Sequence, residues 1–156
     1  MRTYKPLFSN TTGSYNTAQG YQSLYSNTSG DYNVAVGYQS LYANTTASYN
    51  TAFGVQALLS NTTGTLNEAI GLLALNANTT GNYNIALGSN ALSTNTSGGY
   101  NVAVGRRSLY SNTTASYNTA VGYDALYNNT LGFDNAALGW YSMRSNTTGD
   151  GNTGVG

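Results

Sequence analysis

Asn27-Thr28-Ser29-Gly30-Asp31-Tyr32-Asn33-Val34-Ala35-Val36-Gly37-Tyr38-Gln39-Ser40-Leu41-Tyr42-Ala43 is one period of a motif that fills the chain. Counting on from Asn10 at this one interval meets Asn27, Asn44, Asn61, Asn78, Asn95, Asn112, Asn129 and Asn146, with no insertion or deletion. A fixed period marks a stacked architecture in which each repeat contacts only its neighbours. The consensus is N-T-[TS]-[GA]-x-Y-N-x-A-[apolar]-G-x-x-[AS]-L-Y-[SA], and its register reaches back to Tyr4, Leu7 and Phe8. Residues 4–156 are therefore nine whole periods, preceded by an N-terminal extension of residues 1–3.

Seventeen extended residues span roughly 56 Å at ~3.3 Å each. That is too short for a pair of helices, and it suits one flattened coil with two short strands and two turns. The Asn, Gly, Thr and Tyr content disfavours helix. The expected fold is all-β: a parallel β-solenoid of nine rungs.

Each column of the repeat carries its own message. Gly20, Gly37, Gly54, Gly71, Gly88, Gly105, Gly122, Gly139 and Gly156 are never replaced, which calls for either a positive φ or a backbone contact with no room for Cβ. The second glycine column admits Ala47 and Ala115, so it needs no positive φ. Asn16, Asn33, Asn50, Asn67, Asn84, Asn101, Asn118, Asn135 and Asn152 read as a structural amide ladder, and asparagine also tolerates the left-handed region. The Ala18 and Leu24 columns are expected to face each other as a thin core. Strand alternation then turns the Gln19, Val36, Phe53, Ile70, Leu87, Val104, Val121, Leu138 and Val155 column outward, although it is almost wholly apolar. An apolar outer column needs a second burying surface, so a homo-oligomer is expected.

The segment Asn33-Val34-Ala35-Val36-Gly37-Tyr38-Gln39-Ser40 resembles the head repeats of YadA-like trimeric autotransporter adhesins, and the Asn-Thr-Thr-Gly arrays resemble phage-type tail fibre domain repeats. The resemblance covers essentially the whole chain. It implies a left-handed parallel β-roll, three chains about one axis, and an adhesive role. This chain departs from the head repeats in holding its longer period strictly and in placing the Asn-Thr-Thr-Gly turn in nearly every rung.

Composition narrows the functions. Five basic and five acidic residues balance, and only 6% of the chain is charged. No phosphate-neutralising run exists, so nucleic acid is not an expected partner. With neither His nor Cys, and with its acids spread over several columns, the chain gives no nucleophile–base set and no dense oxygen cluster for a metal. No enzyme activity, metal or cofactor is expected. Lys5 and Pro6 interrupt any apolar run after Met1, and no membrane span is visible, so membrane insertion is not expected. An extracellular, cell-surface or virion location would be reached by lysis, on a particle, or through a signal outside this stretch.

The Asn-Thr-[Thr/Ser] triplets match the glycosylation pattern, but a turn-forming ladder accounts for the same residues. The Tyr15 column reads as a semi-buried stack. The Tyr21, Tyr38, Val55, Leu72, Ser89, Arg106, Tyr123, Trp140 column varies as a solvent-facing recognition column would. A surface for a glycan or cell-surface receptor is therefore expected at Tyr123, Trp140, Tyr141, Arg106 and Arg107. The leading expectation is the shaft or head of an extracellular or virion fibre that mediates attachment, with a trimer favoured. Two alternatives stand beside it. Uncapped rungs at both ends suit subunits that stack end to end into a filament, and the complete Thr11 column suits an ice-binding solenoid.

Overall fold

A computed structural model describes residues 4–156, so the expected extension at residues 1–3 lies outside the described residues. Nine three-residue strands stack in chain order: β1 (Thr17–Gln19), β2 (Val34–Val36), β3 (Thr51–Phe53), β4 (Glu68–Ile70), β5 (Ile85–Leu87), β6 (Val102–Val104), β7 (Thr119–Val121), β8 (Ala136–Leu138) and β9 (Thr153–Val155). They form one parallel sheet in which each strand pairs with the next at an offset of one repeat, as Ala35 does with Ala52. The chain is a parallel β-solenoid with one repeat per rung.

The core is two side chains thick, as the columns require. Ala35, Ala52, Ala69, Ala86, Ala103 and Ala120 point inward and meet Leu41, Leu58, Leu75, Leu92, Leu109 and Leu126, all fully buried. Burying each leucine contributes ~1.5–3 kcal/mol. In the last rung Gly154 and Met143 replace the pair together. A Cβ on Gly154 would lie 2.5 Å from Met143 Cγ, so the longer methionine takes the space that alanine gives up.

One expectation fails here, because each rung has one strand rather than two. On the wall opposite the sheet, φ turns positive at two alternate positions, for example Gln39 at 52° and Leu41 at 50°, and such residues cannot continue a β-strand. Hydrogen bonding between rungs nevertheless continues. The Gln39 amide donates down to the Tyr21 carbonyl at 2.9 Å, and the Leu41 amide donates up to the Ala57 carbonyl at 3.0 Å. A left-handed leucine costs ~1–2 kcal/mol, which complete burial of its side chain offsets.

The asparagine column is a ladder, but it does not use the left-handed region. Positive φ falls on the residue before it, at Tyr15, Tyr32, Tyr49, Leu66, Tyr83, Tyr100, Tyr117 and Asp134. The asparagines instead bond along the stack. Asn33 donates its backbone N–H to Asn16 Oδ1 at 2.9 Å and its Nδ2 to the same oxygen at 3.2 Å, and the links recur at Asn101 and Asn118. Asn50 donates to Asn33 through its backbone N–H alone, at 3.0 Å.

A second amide ladder runs beside the first, built from the Asn10 column that the sequence marks as a turn. Asn44 Nδ2 donates to Asn27 Oδ1 at 2.8 Å and to the Ala47 carbonyl at 3.0 Å. Asn78 repeats the pattern with Asn61 and Gly81. The Gly81 carbonyl also accepts from Asn67 Nδ2 at 2.9 Å, so one backbone oxygen joins both ladders. The asparagines of the inner sequons are thus buried, with both amide protons engaged, which leaves no nitrogen free for a glycan in the folded chain.

The unbroken glycine column satisfies both reasons considered for it. Gly37 has φ 133°, and a Cβ there would strike the Gly54 carbonyl of the next rung. The other column, from Gly13 to Gly149, shows no positive φ, as its two alanines imply.

Candidate recognition site

The outward columns differ in what they offer a ligand. Tyr15 stacks on Tyr32 at 4.8 Å, Tyr32 on Tyr49 at 5.1 Å, Tyr83 on Tyr100 at 4.7 Å and Tyr100 on Tyr117 at 5.1 Å, all within 14° of parallel. These rings are exposed rather than semi-buried. Because their faces cover one another, they present mostly edges and hydroxyls. A further stack, Phe8–Tyr25–Tyr42 and Tyr110–Tyr127, runs along another edge. The threonine column spends its hydroxyl protons internally, Thr62 Oγ1 donating to the Thr79 carbonyl at 3.0 Å. From Thr11 to Thr130 the hydroxyl donors of this column are thus engaged by the next rung.

The five residues expected at a recognition surface come together at one corner of the last three rungs. Tyr123 is central. Its hydroxyl accepts from Arg106 Nη1 at 2.8 Å and from Arg107 Nη2 at 3.0 Å, and both guanidinium carbons lie 5.4 Å from its ring centroid. Trp140 stacks on Tyr141 at 4.3 Å, and Tyr141 meets Tyr123 edge-on at 5.8 Å. Trp140 is 67% exposed, the largest open aromatic in the cluster.

Three further residues complete the corner, and sequence reading passes over them. Asp124 is fully buried and accepts from Arg107 Nε at 2.9 Å and Nη2 at 2.7 Å, a bidentate pair. Arg144 Nε stands 3.6 Å from the same carboxylate. The Tyr127 ring lies between Arg107 and Arg144, each 5.1 Å from its centroid. The missed signal was the spacing itself, since Arg107 and Asp124 are one full period apart and the repeat sets them one above the other. Desolvation works against the Arg107 charge, but the hydrogen bonds and Coulomb attraction of Asp124, with Tyr123, outweigh it and hold the guanidinium above its ordinary value.

The corner thus combines three guanidinium groups, one buried carboxylate and an exposed indole. Arg106 is exposed and gives Tyr123 its Nη1, which leaves further guanidinium donors for a polar or anionic group lying beside an aromatic platform. The remaining sequence-marked residues, Asn16, Asn33, Asn50, Asn101 and Asn118 with Gly20, Gly37, Gly54, Gly105 and Gly122, lie in the ladders of the coil and serve its structure. Among the described residues no group of three His, Cys, Asp or Glu is placed to hold a metal, and no helix is long and apolar enough to cross a membrane.

The buried carboxylate holds the corner together. Asp124→Ala is expected to lower unfolding stability by about 2 kcal/mol, because charge-assisted hydrogen bonds are lost and guanidinium repulsion is released. Arg106→Ala should change it by less than about 0.5 kcal/mol, since that side chain is exposed. Denaturant unfolding of the two variants measures the difference, and equal effects would contradict the assigned roles. No family model, curated protein or solved structure matches this chain.

Proposed function

We propose that the chain is a structural and adhesive fibre segment, the shaft or head of an extracellular or virion fibre that mediates surface attachment. The observation that carries this reading is the outward face of the nine strands. Phe53, Ile70, Leu138 and Val155 are exposed on it, Val36, Leu87, Val104 and Val121 are half-buried, and Val34 lies exposed beside them. A hollow of about 320 Å³ lies on the same face, lined by Val121, Ala136, Leu138 and Val155 among others. An apolar stripe of ~43 Å, nine rungs at ~4.8 Å, is suited to burial against sister chains, and a trimer with parallel chains buries three such stripes about one axis. The corner around Trp140 and Arg106 is the proposed contact for a receptor or glycan.

The solution mass tests this reading. The chain is expected to run at three times its 16.3 kDa mass in analytical ultracentrifugation. Ile70→Lys with Leu138→Lys should run as a folded monomer, because both side chains are exposed in the single chain and their loss leaves the core intact. A monomeric parent protein would sink the assembly argument. Attachment is tested apart from mass, by cell or glycan-array binding of the Trp140→Ala, Tyr141→Ala variant; undiminished binding removes the assigned contact.

A further inference from the structure

The other eight rungs serve as an internal reference for the eighth in chain order, residues 123–139, which departs from their pattern at three positions that converge on one cleft. Leu131 stands where the column holds Thr or Ser, Phe133 stands in a column of small or polar residues, and Asp134 replaces the stacking tyrosine. Together with Tyr117 these residues line a cleft of about 420 Å³, within the size range of small-ligand sites. No lining residue belongs to a strand, so assembly through the strand face leaves the cleft open.

The Asp134 substitution ends the tyrosine stack and uncovers Tyr117. Tyr32 and Tyr100, each between two rings, are 48% and 51% exposed, while Tyr117, stacked on one side only, is 58% exposed and lines the cleft. Leu131 and Phe133 are both exposed. Asp134 makes no ion pair among the described residues, and the nearby Asp150 accepts the Phe133 amide N–H at 2.9 Å. Two aromatic rings, an aliphatic wall and unpaired negative charge, with no cation beside them, favour one ligand chemistry.

The geometry points to a binding site for a small organic cation, a quaternary ammonium group on an apolar stem. The ammonium sits against Tyr117 and Phe133 within reach of the Asp134 carboxylate, and the stem lies along Leu131. This site stands apart from the Arg–Trp corner and does not depend on the fibre reading.

The test is a ligand-observed NMR titration of the full chain with hexyltrimethylammonium, hexylammonium, hexanol and hexanoate. Hexyltrimethylammonium is expected to bind with Kd on the order of 1 mM. Hexylammonium and hexanol should bind several-fold more weakly, and hexanoate not at all. The combined variant Leu131→Thr, Phe133→Ser, Asp134→Tyr restores residues that fill the same columns in other rungs, so it keeps the fold, which circular dichroism checks. It should lose binding, and Asp134→Asn should weaken it at least about fivefold. Equal binding of hexanol, tighter binding of hexylammonium, any binding of hexanoate, or unchanged binding by the restored variant overturns the assignment.

Discussion

Asn84→Ala is expected to cost about 3–6 kcal/mol and to divide one unfolding transition into two. Asn84 is fully buried near the middle of the stack. Its Nδ2 donates to Asn67 Oδ1 at 3.1 Å and to the Gly98 carbonyl at 2.9 Å. Its Oδ1 accepts the backbone N–H and the Nδ2 of Asn101, both at 3.1 Å. Alanine removes these bonds at once and orphans the buried Asn101 backbone N–H, while the Gly98 carbonyl keeps Asn95 Nδ2 as its one side-chain donor at 2.9 Å. The orphaned N–H costs ~1–3 kcal/mol, each of the other lost bonds ~0.5–1.5 kcal/mol, and the vacated volume adds to that.

Because rungs contact only their neighbours, a weak central interface uncouples the two halves of the rod. Two transitions in thermal denaturation are the expected signature. Asn82→Ser is the control, since serine already fills that column at Ser14, Ser48 and Ser116, and its effect should stay within about 0.5 kcal/mol. If Asn84→Ala melts as the control does, the ladder is not what holds the rungs.

The ladders also show what could be read in advance. A strict period defined the rung, and alternation about Ala35 correctly divided inward from outward side chains, because both depend only on spacing. The second strand was misread because spacing does not reveal the sign of φ. Gln and Leu are not residues that announce a left-handed conformation, and only the stacked context makes it tolerable at Leu41 or Leu75. The Asn10 column was legible as a turn-forming ladder, and only its burial was not. Its Asn-Thr pattern is what turns look like, whereas its burial depends on how the coil closes.

The candidate site was legible in its aromatics and its two adjacent arginines and hidden in its carboxylate. Asp124 looked like a scattered acid along the chain. It becomes the centre of the corner once residues one period apart are seen as vertical neighbours, which brings Arg107 above or below it and Arg144 alongside. Departures from a repeat are best read vertically as well as along the chain.

Gly88→Ala should be far more damaging than Gly81→Ala, although each adds one methyl group to the same part of the stack. Gly88 has φ 136°, a region that a residue with Cβ reaches only at ~1–3 kcal/mol. Its Cβ would also lie 2.7 Å from the Gly105 carbonyl carbon and oxygen and 3.1 Å from Arg106 N. Those atoms are backbone tied into the next rung, so relief would require the rungs to separate. Overpacking of this kind adds ~1–3 kcal/mol, for a total of about 2–6 kcal/mol. A Cβ on Gly81 would also meet atoms of its surroundings, the Gly98 carbonyl and Asn78 Oδ1. Its φ is not positive, however, and Ala47 and Ala115 occupy the same column between glycine neighbours, buried within intact ladders. The surrounding backbone can therefore give at that position, and Gly81→Ala should cost less than about 1 kcal/mol. Paired denaturant titrations of the two variants decide the matter. Equal losses would mean that the unbroken glycine column reflects crowding alone, and that its positive φ carries no separate cost.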